Sequence, residues 1–460
     1  MTRALRKIAL SLILCVFESP AERITLLASR VISYCALGLG IALLIIAVLS
    51  PFLLIPTLKV IPLDAGGPQT TQEAPGMLLD AQAFAANQPV EEHRDAPECA
   101  PSEGELPMSC FISSSTPLRL NRTMESKDPA TKKFVTLQAT TTLSRGDREA
   151  PDNVVSTAVD TVTLNRFSAE PDADLQSSFQ IQAPDLGLNE DTGKFARVGL
   201  QYRFPFDTER RSYQYFDTTA QTDNLMDFSD AVKEHGTKSL QFEQNVGAVN
   251  MLNAVTDALR RDGDLSDNDR AALTDLQVTA PARRWYSADE LAAQGISPDE
   301  QVSMTRYYSV ARTVRVEPKT GIIVYGADRL NYFFARSDEE AQQVADAFFR
   351  SVDHGDAFTP SPQRTALFVD ATWDQDTQDR AWDSALTGFT ALKNLEFAIY
   401  VVGTLGVLVI AVSMVFVRRS LHRQHPPPPP PRAPPAACSF PPTRCSWLGC
   451  CCGPSPPPGR

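Results

Sequence analysis

Histidine is scarce in this chain, cysteine is scattered, and no segment carries a catalytic signature. Among 460 residues there are five His and nine Cys. His93, His235 and His354 stand alone, with no second ligand at zinc-site spacing, so a metalloprotein is not expected. The cysteines are too few for a disulfide scaffold. No G-x-S-x-G, H-E-x-x-H, Walker A or dinucleotide-binding glycine pattern occurs. Carboxylates are numerous, but no pair stands apart as an acid/base couple. The chain therefore reads as a non-enzyme without a cofactor or a metal. A basic excess is also lacking: 43 Lys+Arg against 55 Asp+Glu give a net charge of −12, which excludes a whole-chain nucleic-acid binder.

Charge of either sign is missing from two stretches. Residues 31–55 form an uncharged apolar run of 25 and residues 397–417 another of 21, each long enough to cross a bilayer as a helix. Arg3, Arg6, Lys7, Arg23 and Arg30 precede the first run; six arginines and no acid follow the second. By the positive-inside rule both ends, 1–30 and 418–460, are expected in the cytoplasm of a two-pass plasma-membrane protein. The ends hold eleven basic and two acidic residues. That leaves 32 basic and 53 acidic residues, net −21, for an extracytoplasmic region over 56–396. Ala36-x-x-x-Gly40 and Gly38-x-x-x-Ala42 would let a partner helix approach the first span closely. The tail beyond His425 is rich in proline and cysteine and reads as disordered low complexity.

Between the spans, 56–130 is weakly patterned and reads as an extended linker region. It holds Cys99 and Cys110, a disulfide candidate in an oxidising compartment. From 131 to 396 the sequence reads as one β-rich (α+β) domain, a mostly antiparallel sheet with helical insertions. Residues 134–143 and 154–164 are β-branched, the second interrupted by Ser156 and Asp160. Leu200, Tyr202, Phe204 and Phe206 alternate with Gln201 and Arg203 as a strand with one aromatic face, and 212–216 can return beside it. Residues 307–317 and 322–325 form a hairpin, in which Pro318 fixes φ and Gly321 takes a left-handed position. Helices are expected at 249–261, at 267–276, after Ser337 as a capping box with Glu340, and from near Asp376 into the second span. Asp262 to Asp269 resembles half of an EF-hand loop. Ala258 and Arg260 fill its first and third ligand positions, so it reads as an inter-helix loop capped by Ser266 and Asp269.

The aromatic side chains Tyr202, Phe204, Phe206, Tyr213 and Tyr215 are candidates for the wall of a lipid cavity or of an ordinary core. Here the chain becomes familiar. Val162-Thr163-Leu164-Asn165-Arg166, LQYRFPFDTERRSYQYFD (200–217) and MTRYYSVARTVRVEPKTGIIV (304–324), with Ile61-Pro62-Leu63-Asp64 after the first span, resemble the actinobacterial PorA-type family of unknown-function membrane proteins. Within it the polar growth factor A branch of mycobacteria and corynebacteria is the nearest resemblance. That resemblance implies work on the mycolate envelope at growing poles, beside a large inner-membrane lipid exporter, and supplies no catalytic residues. The expectation is a protein that binds or traffics a membrane glycolipid of the trehalose monomycolate kind, or alternatively a scaffold that recruits envelope-assembly proteins. Porin activity is not expected, because an outer-membrane channel would be a closed barrel with a lipid-facing apolar band.

Overall fold

The computed structural model describes residues 20–100, 104–172 and 174–422. The expectations for residues 1–19 and for the Pro/Cys-rich 423–460 lie outside them. The described residues form two compact units, one of 20–44 with 404–422 and one of Ile45–Gly403. In chain order, helix α1 (Pro20–Leu53) leads to strands β1 (Gly67–Thr70), β2 (Ala74–Leu79), β3 (Ile112–Lys127), β4 (Phe134–Arg145), β5 (Val154–Asn165), β6 (Ser177–Ala183) and β7 (Leu188–Phe195). Strands β8 (Tyr213–Asp217), β9 (Thr222–Glu234) and β10 (Thr237–Asn250) precede helices α2 (Met251–Leu259) and α3 (Asp267–Thr274). Then come β11 (Gln277–Pro281), α4 (Ala288–Gln294), β12 (Gln301–Glu317), β13 (Ile322–Ala335), α5 (Asp338–His354), β14 (Thr365–Thr372) and α6 (Gln375–His422).

The second unit is built on one antiparallel sheet, ordered β7-β6-β5-β4-β3-β2-β14-β13-β12-β10-β9-β8, with β1 added to β3 and β11 to β12. Flat, its outermost strands would lie about 50 Å apart at the usual ~4.8 Å per strand. Instead Phe195 of β7 and Phe216 of β8 bring their rings to 6.0 Å. Val135 and Leu137 of β4 and Val162 and Leu164 of β5 likewise share a core with Tyr213, Met226 and Phe242 from β8, β9 and β10. The sheet therefore curls until its two ends face each other, and side chains fill the enclosed side. Trp285, Tyr307, Tyr308, Phe334 and Phe348 are almost wholly buried.

Most local signals match this frame. The β12–β13 turn has Gly321 at φ +70°, and the buried Glu317 carboxylate accepts from the Thr320 amide (2.9 Å) and hydroxyl (2.7 Å). Ser266 and Asp269 form a reciprocal capping box on α3. On α5 the Ser337 hydroxyl accepts from the Glu340 amide (3.3 Å). The Glu340 carboxylate turns instead to the Arg336 amide (2.8 Å) and the Tyr286 hydroxyl (3.0 Å).

Two expectations need correction. Residues 56–130 are not simply a linker: β2 and the 16-residue β3 sit in the middle of the sheet path. In β3 Ser114, Ser115, Arg119, Thr123, Glu125 and Lys127 are exposed while Thr116 is buried, and Leu118 to Lys127 pair with Arg145 to Thr136 in an uninterrupted ladder. Cys99 and Cys110 are joined there as a disulfide, Cα to Cα 5.6 Å. Nor do residues 200–206 form a strand. Tyr202 has φ +63° and Asp207 φ +55°, and Pro205 has no amide hydrogen to donate, so the segment turns and keeps only a single bridge, Leu200 to Tyr215. β8 pairs with β9 instead.

Both long apolar helices are present, over Arg30–Leu53 and within Gln375–Arg419, and only 11% of the most apolar window of each is buried. Core helices of a soluble protein would be mostly covered, so these fit two membrane anchors. In the first unit α1 and α6 touch at small residues: a Cβ on Gly40 would stand 3.0 Å from the Gly406 carbonyl oxygen and 2.7 Å from Ile410 Cγ1. The partner of the Ala36-x-x-x-Gly40 face is thus the second span of the same chain. Gly38 has no neighbour within 4 Å of such a Cβ.

Candidate functional site

Tyr202, Phe204, Phe206, Tyr213 and Tyr215 do not share one wall. Phe204 is fully buried, stacked on Phe242 at 4.9 Å and meeting Tyr213 edge-on at 5.3 Å. Tyr215 lies 6.1 Å away in the same cluster. These three make a solid core, fixed because the Phe204 amide donates to the Gly321 carbonyl (2.9 Å). Tyr202 and Phe206 are half-buried and face an open cleft.

That cleft, about 960 Å³, lies within the second unit. Residues 58–69 form one wall and the α6 residues from Thr377 to Leu395 the other; Met124, Leu137, Ile322 and Trp373 belong to its floor. Arg203 reaches into it, donating to the Thr320 carbonyl (2.8 Å) and lying over the Phe206 ring at 5.2 Å. Burial lowers its pKa to about 10.

A second, smaller cavity of about 60 Å³ lies between the strands, lined by Gln69, Arg122, Gln201, Tyr202, Arg312, Asp328 and Trp373 among others. Its surroundings are strongly polar. Arg312 donates to Asp328 (2.8 Å), Asp217 (3.1 Å) and the Gln244 amide oxygen (2.9 Å), and Tyr308 donates to the same Asp217 (3.2 Å). Arg197 clasps Asp160 with both guanidinium arms, and the Tyr202 hydroxyl donates to Asp160 at 2.6 Å. Burial, then the Asp160 charge, hold the Tyr202 hydroxyl well above its ordinary pKa, so it stays a donor. Asp160 is the residue that breaks the apolar parity of β5, a signal that marks a buried charge; Arg197, Asp217, Arg312 and Asp328 carry no comparable signal. Among the described residues no group of three His, Cys, Asp or Glu is placed to hold a metal ion.

Comparison with known proteins gives a consistent picture. A family model described as Porin PorA matches residues 32–415. A Porin PorA of Corynebacterium amycolatum is 33% identical over 393 residues, covering 84% of this chain and 97% of that protein. One of Corynebacterium resistens is 35% identical over 403 residues, covering 84% of this chain and 96% of that protein. These matches overturn the expectation that porin activity is foreign to the chain, and with it the glycolipid-trafficking and scaffold readings. That expectation equated a porin with a closed, lipid-facing β-barrel, whereas the family model described as Porin PorA runs over 32–415, which takes in the sheet and nearly all of both apolar helical runs.

Proposed function

This chain belongs to the PorA porin family, and on that premise we propose that it forms a channel in the cell envelope by assembling in several copies. The carrying observation is the match to relatives named Porin PorA over 84% of the chain, together with a Porin PorA family model over 32–415. The geometry of one copy supports assembly. Its two helices touch at Gly40 and Gly406, which leaves no water-filled gap between them at that level. The curled sheet is filled with side chains rather than open. A polar path across a bilayer must be lined by protein, so several helix pairs have to surround it.

We further place both chain ends in the cytoplasm, from the arginines that flank the two spans, and the acidic sheet unit outside. Within the family the motifs at 162–166, 200–217 and 304–324 support a position nearest the polar growth factor A branch. The role is passage, not catalysis. Release of a small trapped dye from liposomes containing the purified full-length chain tests it: release that rises with protein content is expected. Liposomes that stay tight at every protein-to-lipid ratio would overturn the channel reading.

A further inference from the structure

The large cleft and the small cavity are separate spaces with a common partition. Gln69, Tyr202, Ile323 and Trp373 line both. Tyr202 and Trp373 are held in place. Tyr202 sits at φ +63°, a conformation that non-glycine residues rarely adopt, and its hydroxyl is tied to Asp160. The Trp373 indole lies against the bare backbone of Gly326, where a Cβ would come within 2.8 Å of Nε1.

Behind the partition the polar groups are incompletely matched. Gln201 is 6% exposed, and its amide oxygen has no hydrogen-bond partner; the Gln69 amide oxygen is buried and unpartnered too. Buried acceptors left without donors are costly, so an O–H from outside the chain, that of water or of a ligand hydroxyl that displaces it, meets them. Arg122, which lines the same cavity, donates to the Thr141 hydroxyl (3.1 Å), lies over the Tyr202 ring and, among the described residues, forms no ion pair. It calls for an acceptor. Arg312 is paired with both Asp328 (2.8 Å) and Asp217 (3.1 Å), so the two guanidinium groups, Arg122 and Arg312, are balanced by two carboxylates.

A ligand for this space must both donate and accept hydrogen bonds without bringing a charge, and it must fit a volume equal to about four to six water-sized probes. We propose that the cavity is a binding subsite for a small uncharged diol or polyol, entered from the cleft through the partition of Gln69, Tyr202, Ile323 and Trp373. Hydroxyl hydrogens serve the two glutamine oxygens and a hydroxyl oxygen serves Arg122. A halide or carboxylate leaves both glutamine oxygens unmet, and a disaccharide does not fit. Binding needs no pore, so this subsite stands or falls separately from channel formation.

The test uses the full-length chain in detergent micelles, labelled with 5-fluorotryptophan and followed by fluorine NMR during titration with ethylene glycol. The Trp373 resonance is assigned by its loss in Trp373→Phe. The expected result is a saturable shift of that resonance alone, weakened at least tenfold in Gln201→Leu, and absent with sucrose. If Gln201→Leu fails to fold, Gln69→Leu is held to the same criterion. Non-saturable shifts common to every tryptophan overturn the proposal. So does saturation unchanged by both substitutions, or a saturable response to sodium chloride in place of the diol.

Discussion

Arg197 and Asp160 offer the sharpest energetic test of the curled sheet, because they join the segment after β7 to β5 inside it. Their side chains are 0% and 4% exposed. At a charge separation of about 3.5 Å and an effective dielectric constant of ~20, their attraction is roughly 5 kcal/mol. Removing two ions from water costs several kcal/mol each, so the pair as a whole contributes little net stability. Removing one member is different. Arg197→Met leaves Asp160 buried with only the Tyr202 hydroxyl, and also takes the guanidinium off the Phe216 ring, 4.3 Å away. A loss of about 3–5 kcal/mol is expected. Asp160→Leu strands the arginine in the same way and should cost a similar amount. The double variant should regain most of that loss, because no unpaired charge remains. Urea unfolding of the full-length chain in micelles, followed by circular dichroism, measures all three. A single-variant loss below about 1 kcal/mol, or a double variant as unstable as the two losses added, would refute the reasoning.

Three further outcomes follow from particular residues. Burial pushes the Glu190 carboxyl from 4.5 up to about 8, so across that window the folded chain keeps a proton that the unfolded chain has released. Stability should therefore fall as pH rises from 4.5 to about 8, by up to ~1.4 kcal/mol per pH unit, and level off above it. Glu190→Gln should remove that slope in urea titrations at the two ends of the window. Gly321→Ala should cost about 1–3 kcal/mol, since φ is +70° and a Cβ would collide with the Phe204 carbonyl; thermal unfolding reads the loss. Reducing the Cys99–Cys110 bridge, which spans 11 residues, should lower stability by about 2–3 kcal/mol in the chain-entropy picture, measured with and without reductant.

How far the fold was legible depended on whether each signal was local. Uncharged runs, the 134–143 and 154–164 strands, the Pro318–Gly321 turn and the Ser266 cap all rest on neighbours in sequence, and each appears near its expected place. β3 and the β9–β10 hairpin went unread because their residues alternate imperfectly. Their places are set by ladders to distant strands, as in Leu240 opposite Val316. A local trace did exist for the hairpin: His235 and Gly236 at φ +49° and +77° form the two-residue turn that a hairpin of this twist prefers. The 200–206 segment misled because its period-two aromatics imitate a strand. Only the tertiary ties, Phe204 to Gly321 and Tyr202 to Asp160, reveal a turn that plugs a core and forms the edge of a cleft. The inner cavity had no sequence signature, since Gln69, Arg122, Gln201 and Asp328 converge from four separate segments. Membership of a family named for porins has no local signature either, because the chain's apolar runs are two helices and not the alternating strands of a closed barrel.

Electrical recording across a planar bilayer tests the central claim most directly. Purified full-length chain added to one side should give discrete conductance steps whose frequency rises more steeply than linearly with protein concentration, because several copies must assemble. A membrane that stays silent while the inserted protein keeps its folded circular dichroism would contradict it.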